Sequence, residues 1–115
     1  MDAYPPRFIF SVHLALVAFA PVAAQENARG AWRATNDCFI QAFVLGDRGM
    51  ASVSYSNGVG EQGARWTWRA EGLNIVSERR GVLLTDGHYE DTVLVAEVDY
   101  STTDDVDFRT CRFSR

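Results

Sequence analysis

Only two histidines and two cysteines occur in the chain, and they set the limits on what chemistry it can do. His13 lies inside an apolar N-terminal run, which leaves His88, Cys38 and Cys111 as the starting points for any nucleophile or base. A hydrolase triad could be assembled only from His88, one of Ser52, Ser54 or Ser101, and an aspartate behind the imidazole. His88 directly follows Asp86-Gly87, a turn dipeptide, so it reads first as a solvent-facing loop residue. Cys38 and Cys111 stand near opposite ends of the chain that follows residue 24, and pairing them leaves nothing for Cys-His catalysis. The disulfide would close a loop of about seventy residues, for which chain entropy assigns about 4 kcal/mol. On these grounds the protein is expected not to be an enzyme.

Acidic residues raise a metal reading. Asp86, His88, Glu90 and Asp91 fall close together, and Asp99, Asp104, Asp105 and Asp107 surround the last predicted hairpin, so oxygen donors of the kind calcium takes are at hand. Their spacing matches no EF-hand loop, and solvated turn acids are the expectation. No metal or cofactor is assigned, with Asp86, Glu90 and Asp91 the residues to inspect for calcium. Gly58, Gly60 and Gly63 spell G-x-G-x-x-G, but a dinucleotide site needs a helix after the loop, and here a strand pattern follows. The chain also has no lysine to meet a phosphate. A hairpin loop using glycine for positive φ accounts for the motif.

The third group is aromatic. Ala64, Trp66, Trp68 and Ala70 alternate with Arg65, Thr67 and Arg69, so an extended backbone sends two indoles to one face and two guanidinium groups to the other. Trp66 and Trp68 then either fill a core or floor an apolar pocket. Arg65 and Arg69 would form ordinary surface charge or a patch for a partner.

The elements that must position these residues follow from the chain in order. A short lead ending at Arg7, an apolar run over residues 8–20 and small residues at Val22-Ala23-Ala24 predict a signal peptide over residues 1–24, cleaved after Ala24. About thirteen apolar residues is short of the roughly twenty a membrane span needs, so no stable span is expected after cleavage. The protein would be periplasmic or secreted. Residues 25–29 read as a flexible arm and residues 30–115 as one β-domain of the size that often needs a staple. A net charge of −4 gives no basic footprint for nucleic acid.

Within the domain, the first strand is expected over residues 30–35, and clean alternation marks residues 50–56 and 64–70. Asp86-Gly87 is expected to be a turn between a short strand at residues 82–84 and a long one at 88–100. Residues 106–113 complete the set. Seven to eight short strands about ten residues apart predict an all-β antiparallel meander closed as a barrel, with a sandwich as the alternative. A bond from the second strand to the last suits closure.

Gly30-Ala31-Trp32 at the start of the first strand, with Arg112 and Arg115 at the end of the last, resembles the opening and closing of calycin-type barrels. In lipocalins such a tryptophan packs under the barrel and an arginine stacks on it. Small periplasmic inhibitors of bacterial metalloproteases are similar in length, in export and in the stretch from Trp32 to Cys38. The chain departs from them in placing Cys111 near its end, and it has no second lipocalin motif. The resemblance implies that residues 25–29, with Gln25, Glu26 and Asn27 foremost, would enter a protease cleft. The expected function is therefore that of an exported, non-enzymatic barrel that binds a protein such as a protease. The alternatives are a carrier of a small apolar ligand around Trp32, Trp66 and Trp68, a periplasmic enzyme, or a structural component of the envelope.

Overall fold

The computed structural model describes residues 25–115, so the expected signal peptide lies outside the described residues. Eight antiparallel strands form a closed barrel. They are β1 (Gly30–Ala34), β2 (Ile40–Leu45), β3 (Met50–Tyr55), β4 (Gly60–Arg69), β5 (Gly72–Ser77), β6 (Gly81–Glu90), β7 (Val93–Asp99) and β8 (Phe108–Ser114). Each pairs with the next in sequence, and β8 returns to β1. Period-2 alternation is what lets so short a chain close this way, because one residue in two can face a common interior. Trp32, Phe43, Leu73, Ile75, Leu84 and Phe113 are among the residues that fill it.

The β1–β8 seam is short, with Cα partners only at Arg33↔Ser114 and Ala34↔Phe113. Side chains and a covalent bond extend it. The Thr35 N–H donates to the Arg112 carbonyl at 2.8 Å, and the Asn36 amide then substitutes for a further β1 residue. Its Oδ1 accepts the Arg112 N–H at 2.9 Å while its Nδ2 reaches the Thr110 carbonyl at 3.5 Å. Just beyond, Cys38 and Cys111 are disulfide-bonded, with Cα atoms 6.0 Å apart.

Three elements differ from expectation. Asp86-Gly87 is not a hairpin turn, because β6 runs through it as a bulge between Thr85 and His88 with Asp86 at φ +57°. The bulge is fixed by packing against the start of β5: a Cβ on Gly72 would lie 2.3 Å from the Gly87 carbonyl oxygen, and one on Gly87 would lie 2.7 Å from Leu73 Cβ. Of the three motif glycines, only Gly58 has positive φ, and Gly60 and Gly63 lie within β4. Residues 25–28, expected as a loose arm, are helical, and Ala28 is fully buried.

In an up-and-down meander the turns alternate between the two ends. Turns β1–β2, β3–β4, β5–β6 and β7–β8 share one end, here called the mouth. The termini of the described chain share the other with turns β2–β3, β4–β5 and β6–β7.

Candidate functional site

The terminal end is shut by residues from both ends of the chain. Trp32 is buried and its indole Nε1 donates to the Ala28 carbonyl at 2.7 Å. The Arg115 guanidinium lies 4.3 Å from the Trp32 ring centroid and donates to the Arg29 carbonyl at 2.7 Å and to the Asn27 carbonyl. Arg29 in turn pairs with Asp47 in the β2–β3 turn at 2.6 Å. Of the two arginines in the calycin-type resemblance, Arg115 is thus the one on the tryptophan, while Arg112 pairs with Glu90 at 3.2 Å.

The other indoles join this end. Trp66 is buried and donates to the Gly46 carbonyl at 2.9 Å, so it is core. Trp68, half-buried, stacks on Tyr89 at 5.3 Å, and Tyr89 tilts against Trp32 at 6.1 Å. The Tyr89 hydroxyl is buried without a hydrogen-bond partner among the described residues, and burial raises its pKa while nearby Arg115 opposes the shift. A shallow depression of about 470 Å³ is lined by Asn27, Trp32, Tyr89, Asp91, Thr92 and Arg115. Arg115 already spends donors on backbone carbonyls there, which makes it a clamp rather than a free cation.

The mouth is built differently. A recess of about 410 Å³ opens between the β1–β2, β5–β6 and β7–β8 turns. Its apolar wall is Phe39, Ile40, Tyr55 and Leu83, and its polar wall is Arg79, Arg80, Asp99 and residues 101–103. Phe39 and Tyr55 stack at 4.7 Å. The Arg80 guanidinium sits 5.1 Å from the first ring centroid and 4.9 Å from the second.

Local hydrogen bonds hold each part of the mouth. The Ser77 hydroxyl accepts the N–H groups of Arg79 at 3.1 Å and Arg80 at 3.2 Å, which fixes the β5–β6 turn. The Tyr100 hydroxyl oxygen accepts the Phe39 N–H at 2.5 Å, and Arg109 covers the Tyr100 ring at 4.4 Å. The β7–β8 loop is braced by Asp99 Oδ1 accepting the Ser101 N–H at 2.8 Å and Ser101 Oγ accepting the Asp107 N–H at 3.0 Å. Tyr55 donates to Glu61 at 3.1 Å, and burial together with that carboxylate raises its pKa, so it stays a neutral donor.

The remaining expected site residues do not converge. His88 is exposed, with Nδ1 on the Asp86 carbonyl at 3.0 Å and Nε2 on Glu90 at 3.3 Å, and no serine hydroxyl hydrogen-bonds to it. Glu90 is shared between His88 and Arg112. Among the described residues no three metal-ligating side chains cluster, Asp86, Glu90 and Asp91 included. Arg65 and Arg69 are exposed on the barrel wall, with Arg65 reaching the Arg48 carbonyl and Met50 sulfur at long range. Phe39, Tyr55, Arg80 and Tyr100 were not singled out by residue type. The signal that could have found them is turn parity, since all four flank turns that a meander must bring to one end.

The chain matches no protein-family model, no curated protein and no solved structure.

Proposed function

We propose that the protein is an exported, non-enzymatic binding domain that takes a small ligand with an apolar body at the mouth of its barrel. One observation carries the reading: the two ends are unlike. Each end has a recess of ligand size with aromatic lining, but the arginine at the terminal end, Arg115, is held by backbone carbonyls over Trp32, whereas Arg79 and Arg80 at the mouth form no ion pair among the described residues. Export is supported by the leader pattern and by a disulfide, which persists in oxidising compartments. Among the described residues no helix is long and apolar enough to cross a membrane. The Trp32–Arg115 contact is of the kind the calycin-type resemblance implies, and the reading takes from that resemblance a barrel whose open end does the binding.

The protease-cleft reading is weakened by the same contacts. Asn27, Ala28 and Arg29 carbonyls are all engaged, so inserting this segment into a cleft would first break the clamp. Titrating the 15N-labelled protein with naphthalene-bodied probes tests the proposal. Shifts at Phe39, Ile40, Leu83 and Thr102 amides support it; shifts confined to Asn27 and Thr92, or none with any probe, contradict it.

A further inference from the structure

We infer that the ligand carries a carboxylate, which Arg80, assisted by Arg79, receives at the rim of the mouth while the apolar body lies against Phe39 and Leu83. The inference rests on the mouth being a ligand site. Its basis is the state of the two arginines. The molecule is acidic overall, yet two consecutive cations line one recess, and neither forms an ion pair among the described residues. Arg80 is already positioned, because its guanidinium lies against the stacked Phe39 and Tyr55 rings and its backbone N–H is tied to Ser77. A guanidinium is a planar fork of N–H donors that suits an oxyanion even when it packs beside aromatic rings. Less side-chain entropy is then lost when the anion arrives.

The acids nearby narrow the class. Glu61 accepts from Tyr55 and Asp99 accepts from Ser101, and neither forms an ion pair with Arg80. Both still repel an incoming anion, and because a dianion doubles this repulsion together with its attraction to the arginines, the choice of a carboxylate rests on shape. A planar carboxylate matches a guanidinium fork with two parallel hydrogen bonds. Thr102 and Thr103 line the same polar wall.

The probes are 2-naphthoate, 2-naphthamide and 2-naphthyl phosphate, which share one flat body and differ in charge. Affinities are read from 15N shifts of the Leu83 and Thr102 amides. The expected order is naphthoate tightest, by about tenfold over the amide, the scale of a charge-assisted hydrogen bond partly exposed to water. Arg80→Met keeps the apolar stem and should erase that preference, and Arg79→Met should reduce it less. Higher salt should weaken naphthoate binding more than naphthamide binding. Naphthamide binding as tightly as naphthoate, naphthyl phosphate binding more tightly than either, or a preference that survives Arg80→Met in a well-folded variant would each overturn the inference while the mouth reading stands. No shift at the mouth with any probe would overturn both.

Discussion

At the residue scale, the closed end depends on which polar atoms found partners. Arg115 satisfies two backbone carbonyls and covers an indole, but Tyr89, beside it, buries a hydroxyl with no partner. Removing such a group deletes a desolvation penalty and keeps the ring stacking, so Tyr89→Phe should leave stability unchanged or raise it by up to about 1 kcal/mol in urea unfolding. A loss of that size would mean the hydroxyl has a partner in solution. His88 and Glu90 carry the pH dependence. The Asp86 carbonyl first, and Glu90 after it, raise the His88 pKa while desolvation opposes them, so its contribution is complete below the ordinary imidazole value and lost as pH rises through the folded one. His88 and Arg112 lower the Glu90 pKa, so its contribution is present above the ordinary carboxylate value and fades as pH falls through the lowered one. This exposed pair should therefore contribute most in the weakly acidic range between the two. Thermal unfolding of His88→Ala across pH should differ from the parent by a small loss confined to that range; an equal difference at alkaline pH would contradict the assignment.

At the element scale, strand existence was legible because alternation is local: Trp66 and Ala64 face inward where the pattern put them. Two elements were not legible for reasons beyond one strand. Asp86-Gly87 has turn chemistry, but an Asp at positive φ serves a bulge as well as a turn, and only the pairing of β6 with both β5 and β7 decides between them. Residues 25–28 lack periodicity by themselves, and what orders them is Trp32 and Arg115, the latter from the far end of the chain. The bulge yields a sharp prediction. Gly72 has φ +109° with the Gly87 carbonyl in the space of any Cβ, so Gly72→Ala should cost about 2–4 kcal/mol through strain and displacement of β6. Denaturant melts check this, and a cost below about 0.5 kcal/mol, the ordinary range for surface changes, would show that β5 and β6 are not so closely opposed.

At the scale of the molecule, the disulfide does two jobs. It closes a sequence separation of 73 residues, and it anchors the β1–β2 turn that carries Phe39. Replacing Cys38 and Cys111 together by alanine should cost about 3–4 kcal/mol. It should also weaken probe binding at the mouth more than it perturbs the amides around Trp32; an evenly spread perturbation would deny it the second job. The pairing and the barrel were readable from sequence because both follow from chain-wide spacing. The mouth was not, because its wall comes from three turns and the end of β3, and its aromatic residues look like ordinary strand ends until the sheet closes. Trp66 and Trp68 drew attention as the largest side chains, yet closure sends them to the clamped half.

The most direct measurement is a crystal structure of the protein with 2-naphthoate. The unlike ends predict one bound molecule, its ring against Phe39 and Leu83 and its carboxylate on Arg80, with Arg115 still stacked on Trp32. A ligand seated instead beside Trp32 and Tyr89 with Arg115 displaced, or an empty mouth at saturating probe, would contradict it.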